Sequence, residues 1–151
     1  MARTSDDTTD GTFSERERAA MKERAAELRK EAGRGRGGRA AADEAALLDK
    51  IEQMPEPDRT TAQRIHALVT ANAPELAPKL WYGQPAWARK GKVLCFFRSG
   101  QADGERYSTF GVTPEAALDE ASGTWPTSFA VTELTDQAEQ TLAALLQRAL
   151  A

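Results

Sequence analysis

Cysteine and histidine are nearly missing from this 151-residue chain, with one copy each, and each scarcity removes a class of function. Cys95 alone cannot form an internal disulfide, which suits a reducing compartment. His66 alone cannot build a zinc site, which gathers several His and Cys side chains at set spacing. No run approaches the roughly 20 apolar residues of a membrane span. The opening MARTSDDTTDGTF has no apolar centre and does not read as a signal peptide, so a cytoplasmic protein is expected. There is no phosphate loop, no Gly-x-Ser-x-Gly elbow and no His-Glu pair at metal spacing. No catalytic residue is therefore assigned and no enzyme is expected. The net charge of −3 is too small for a global field that would demand nucleic acid or a membrane surface.

What is present reads as one domain with an extension. Apolar residues at 40% and charged residues at 28% are ordinary for a globular chain, and the length suffices for one core. The charge is uneven: residues 1–42 carry a net +2, and residues 43–151 a net −5. Residues 1–13 are Ser, Thr, Asp and Gly with little to bury, and a disordered tail is expected. Ser14 and Glu17 form a capping box, with Phe13 as a staple, and open a charged helix over 14–32. Its thin apolar stripe is Met21, Ala25, Leu28 and Ala32. Residues 33–42 begin with four glycines and three arginines in seven positions, which reads as a flexible linker. One such arginine-glycine copy without aromatics is too little for RNA stacking, and nucleic acid is not expected as a partner.

The compact domain is expected over 43–151. Leu47, Leu48, Ile51 and Met54 give one helix an apolar face. Pro55 and Pro57 break it, and a second helix follows to Asn72 on Ala62, Ile65, Leu68 and Val69. PELAPKLWYG reads as a short helical turn ended by Gly83. PAWAR and VLCFFR form a hairpin closed at Lys90-Gly91, with VLCFFR central in the sheet. ERYSTFGV and SFAVTEL supply two more strands, with a short helix between them capped by Thr113 and stopped at Gly123. Thr135 caps a strongly amphipathic last helix. The fold class is α+β: a mostly antiparallel sheet of about four strands packed by helices, with an N-terminal helical extension.

Trp81-Tyr82-Gly83-Gln84-Pro85-Ala86-Trp87, followed by Lys90-Gly91-Lys92 and an apolar strand, resembles the YdhG-like family of small bacterial proteins. The resemblance covers residues 43–151. It implies a frataxin-like α+β fold and, for some relatives, a proposed role as an intracellular iron chaperone. It brings no set of iron ligands that can be placed on this chain.

Two candidate sites come from the residues themselves. Asp49, Glu52, Glu56 and Asp58 form an acidic ridge of hard oxygen donors that could hold iron weakly, or could simply be a solvated helix face. Trp81, Tyr82, Trp87 and Tyr107, with Arg89 and Arg98 as polar anchors, could line a small-ligand pocket or pack as core. Cys95 lies between apolar neighbours and reads as a core residue, not a nucleophile. The expected function is a non-enzymatic binding or carrier protein for a small molecule or metal ion, with an iron chaperone as its sharpest form. The alternative is an interaction module that takes a protein partner through 14–39. A homodimer is compatible with either.

Overall fold

The sheet begins where a helix was expected. The computed structural model describes residues 14–32 and 36–151; the tail over 1–13 and the first linker residues, 33–35, lie outside them. The elements are α1 (Glu15–Ala32), α2 (Arg36–Glu52), α3 (Asp58–Asn72), β1 (Ala77–Trp81), β2 (Gln84–Arg89), β3 (Lys92–Arg98), β4 (Ser108–Val112), β5 (Ser128–Val131) and α4 (Asp136–Ala149). The class is α+β, with five antiparallel strands in chain order and β3 at the centre. The extra strand is β1, expected as a turn of helix. Pro78 disfavours helix at Ala77, and an edge strand tolerates a residue without an N–H.

Two further expectations are corrected. Residues 36–42, expected as linker, form the first turns of α2, because packing of that helix on the sheet outweighs the weak helix preference of Gly37 and Gly38. Residues 113–123 hold two isolated turns, closed by Ala116 N–H on Thr113 O and by Gly123 N–H on Glu120 O, each at 3.0 Å, and no helix. The Ala117 amide donates at 3.0 Å to Ala149 O at the end of α4, so a tertiary bond replaces the helical one.

Of the three helix starts read from capping residues, those at Ser14 and Thr135 are present and that at Thr113 is not. Glu17 N–H donates to Ser14 Oγ at 3.0 Å, and Ser14 N–H returns a bond to Glu17 Oε1 at 2.9 Å. Thr135 Oγ1 accepts from Ala138 N–H at 3.1 Å. The core lies on one face of the sheet. Leu47 and Ile51 of α2, Ile65 and Val69 of α3, and Leu142, Leu145 and Leu146 of α4 pack on Trp87, Leu94, Cys95, Phe97 and Phe110. Each such side chain contributes about 1.5–3 kcal/mol by leaving water. Leu48, expected on this face, is 44% exposed. In β3, Leu94 is skipped between the pairs Trp87–Cys95 and Ala88–Val93, a bulge that lets Leu94 and Cys95 both be buried. Among the described residues no helix is long and apolar enough to cross a membrane.

Candidate functional site

Two hairpin turns lie at opposite ends of β2. Tyr82-Gly83 and Lys90-Gly91 each have positive φ at both positions (54° and 75°, 53° and 82°), the two-residue turn whose twist matches the strands. The Tyr82-Gly83 turn borders a cleft of about 260 Å³. Four pieces meet there: α1 through Arg16, Ala20 and Glu23; α2 and its exit through Lys50 and Met54; the turn through Tyr82, Gly83 and Pro85; and the 98–103 segment through Arg98, Ser99 and Asp103. Behind it stand Phe97 and Pro85, both fully buried.

The 99–104 loop is held by a buried polar network. Asp58, in the first turn of α3, is 6% exposed. Its Oδ2 accepts from the Ser99 hydroxyl and from Gln101 N–H at 3.0 Å. Ser99 Oγ in turn accepts from Ala102 N–H at 3.2 Å, and Gly100 N–H donates to Ser108 Oγ at 2.9 Å. Gly100 admits no side chain, since a Cβ would lie 2.3 Å from Tyr107 O. The fixed loop carries Asp103 onto the Arg98 guanidinium, which orients that cation at the cleft's edge.

α1 closes the other side, by its polar face. Glu27 Oε2 accepts from Gly83 N–H at 3.3 Å, and Glu23 Oε1 is 3.5 Å from Lys50 Nζ. A Cβ on Gly83 would fall 2.4 Å from that same Glu23 oxygen, so this glycine serves close approach as well as its φ. Arg24 lies 6.0 Å above the Tyr82 ring. Met21 and Leu28, expected as the packing stripe, are 45% and 48% exposed and face away. Burial raises the Glu27 carboxyl above its ordinary range, against the lowering by Gly83 N–H and Arg24.

Of the six residues expected in a pocket, the structure brings Tyr82 and Arg98 into this cleft. Trp81 is beside it, packed on Tyr82 and Phe96 at 5.1 and 5.3 Å. The other three are elsewhere. Trp87 is 1% exposed in the core, where its Nε1–H donates to His66 Nδ1 at 3.2 Å. Burial, the main cause, lowers the His66 pKa, in keeping with a ring nitrogen that accepts. Arg89 donates to Leu150 O at 3.4 Å, tying β2 to the end of α4. Tyr107 is exposed under the Arg106 guanidinium. Arg16, Glu23, Lys50, Met54, Ser99 and Asp103 were not read as site residues. The helical spacing of Arg16, Ala20, Glu23 and Glu27 was the available signal, but it has the look of a solvated face.

The acidic ridge does not converge. Asp58 is consumed by the buried network, and Glu52 accepts from Gln63 Nε2 at 3.3 Å. Glu56 takes the Thr60 hydroxyl and amide at 2.9 and 3.2 Å, which hold its carboxyl below the ordinary range, and Arg59 at 3.1 Å. Asp49 is exposed on α2. Among the described residues no three His, Cys, Asp or Glu side chains are grouped so as to hold a metal ion. Cys95 is buried, and desolvation pushes its thiol far above the range of a reactive thiolate. A larger groove of about 650 Å³ between α3 and α4 is a surface furrow spanned by the Arg64–Glu139 ion pair at 2.6 Å, with no aromatic wall. Comparison of the chain with family models, with curated proteins and with solved structures finds no match.

Proposed function

We propose that the protein is a cytoplasmic small-molecule binding or carrier protein whose site is the cleft at the Tyr82-Gly83 turn. One observation carries the reading. Three cations (Arg16, Lys50 and Arg98) and the Tyr82 ring surround a space backed by Met54, Pro85 and Phe97. An apolar wall with a few oriented polar groups is the usual make-up of a ligand site. The 260 Å³ volume falls just under the roughly 300–1,000 Å³ of sites for drug-sized molecules, which points to a smaller ligand. No reaction is proposed: the Ser99 hydroxyl in the cleft is held by Asp58 and the Ala102 amide, and Asp103 is paired with Arg98.

The YdhG-like affiliation and its frataxin-like fold belong to this proposal; the order of two helices, antiparallel sheet and closing helix supports them. Iron carriage does not belong to it, because three of the four carboxylates named for it, Glu52, Glu56 and Asp58, serve other bonds, and no three such groups converge among the described residues. The test is an NMR screen of the full chain against neutral, anionic and cationic fragments. Shifts concentrated at the Gly83, Arg98 and Ser99 amides, and lost in Arg98→Ala, are expected. A screen in which no fragment moves those amides overturns the site.

The exposed Met21 and Leu28 favour a second reading, in which the outer face of α1 meets a protein partner. Met21→Lys with Leu28→Lys should then abolish co-purification of that partner without altering fragment binding.

A further inference from the structure

The contacts that hold α1 are the contacts a ligand's carboxylate would make. Glu27 takes the Gly83 amide, and Glu23 sits against Lys50 and over the Gly83 Cα. We propose that the cleft takes a small organic carboxylate, and that α1 is its built-in competitor, with Glu23 and Glu27 standing where the ligand's carboxylate binds. The inference rests on the cleft being the binding site, and it adds the ligand's chemical class and the means by which access is controlled.

Three observations support it. First, α1 is docked without a buried side chain among those described. None of its side chains described over 15–29 is buried, and its two large apolar residues face solvent. Second, its polar bonds are loose. The Glu23–Lys50 pair spans 3.5 Å between partly exposed side chains. Arg24 Nη1 and Glu27 Oε1 are buried 3.5 Å apart without a hydrogen bond. A long, partly exposed pair such as Glu23–Lys50 adds little to docking, and the unmade hydrogen bonds of the buried Arg24 and Glu27 atoms are a cost of docking rather than a gain. Third, the receptor is fixed without α1. The strand register sets the Tyr82-Gly83 turn, and Lys50 stands on α2, whose Leu47 and Ile51 are in the core. A free carboxylate with an apolar body would give up Arg16, which leaves with α1, and keep the Gly83 amide, Lys50, Arg98 and the wall of Met54 and Pro85. An 18-residue charged helix released from its dock is marginal in water, so release is readable as loss of α1 structure.

The test uses the full chain, benzoate as probe and benzyl alcohol as its neutral counterpart. Amide hydrogen exchange follows α1, with β3 as internal control; NMR follows the Gly83 amide. Saturating benzoate should speed α1 exchange at least five-fold with β3 unchanged, and benzyl alcohol should not. Glu23→Lys with Glu27→Lys should speed α1 exchange about ten-fold without ligand and tighten benzoate at least five-fold. Lys50→Ala should weaken benzoate at least five-fold. Unchanged α1 exchange in the double variant overturns the competitor role. Benzoate that shifts the Gly83 amide without mobilising α1 also overturns it, while the cleft stands. Benzoate no stronger than benzyl alcohol in both parent and double variant overturns the carboxylate class; neutral or cationic fragments at the same amides would still uphold the cleft.

Discussion

The two turns that bracket β2 are made alike and used differently. Each places a long side chain and then glycine in the left-handed region. At Gly91 a Cβ would meet nothing within 4 Å, whereas at Gly83 it would strike the Glu23 carboxylate at 2.4 Å. Gly91 is needed for its φ alone. Gly83 is needed for its φ and for the approach of α1, whereas the Lys90-Gly91 end borders an open groove with Arg39, Ala40 and Asp43 of α2. What separates them is the company: α1 and the 99–104 loop surround only the Tyr82-Gly83 end.

The largest expected effect breaks that company at its anchor. Asp58→Ala leaves the Ser99 hydroxyl and the Gln101 amide without their acceptor, and a buried donor so orphaned costs about 1–3 kcal/mol. A loss of about 2–3 kcal/mol in urea unfolding is expected, with faster exchange at 99–104 and weaker fragment shifts in the cleft. The Lys90-Gly91 hairpin should keep its local protection relative to the whole. A loss under about 0.5 kcal/mol would mean that the network does not hold the loop.

Next comes the pair of turns itself. Gly91→Ala should cost about 1 kcal/mol from left-handed backbone strain and leave α1 untouched. Gly83→Ala carries the same strain and also drives Glu23 away, so α1 should exchange several-fold faster in that variant only. If the two alanines disturb α1 equally, the turns do not differ as described. A smaller effect is expected of Lys50→Ala: under about 1 kcal/mol in stability, since its partner is exposed.

How much of this could be read from the chain follows from which forces are local. The capping box at Ser14, the cap at Thr135, the boundaries of α3, the central place of VLCFFR and the Lys90-Gly91 turn were legible, because each rests on neighbours in sequence. β1 was missed because its prolines suggest a broken helix as readily as an edge strand. The start of α2 was missed because packing overrode glycine. At the site, Tyr82 and Arg98 were legible as an aromatic and a cation near the turn. Trp87 was misplaced, since an indole N–H that finds His66 inside the core gives no sign of it in sequence. Asp58 looked like a surface acid because the groups that bury it, Ser99 and Gln101, lie over 40 positions away.

The finest separation of the two regions is by pH, where a group at each place responds with opposite sign. Glu27 faces Arg24 and Glu23 on its own helix, the Gly83 amide on the turn and, beyond Glu23, Lys50 on α2. Burial outweighs the lowering contacts and raises its folded pKa above the ordinary 4.5. Its contribution to docking is therefore fully present below that value and lost as pH rises through the folded pKa. His66, held by Trp87 on β2 between the turns, has a folded pKa lowered from 6.5, chiefly by burial, with Glu44 opposing. Its contribution to stability is full above 6.5 and is lost as pH falls through the folded pKa. Between pH 7 and 5, the urea midpoint should therefore fall in the parent more than in His66→Gln, which keeps an acceptor for the indole and takes no charge. As pH falls from 7 through 4.5, α1 exchange, corrected for its intrinsic pH dependence, should slow relative to the core, and that slowing should vanish in Glu27→Gln. If α1 loses protection in step with the core as acid is added, its docking is only an expression of global stability, and the covered turn has no equilibrium of its own.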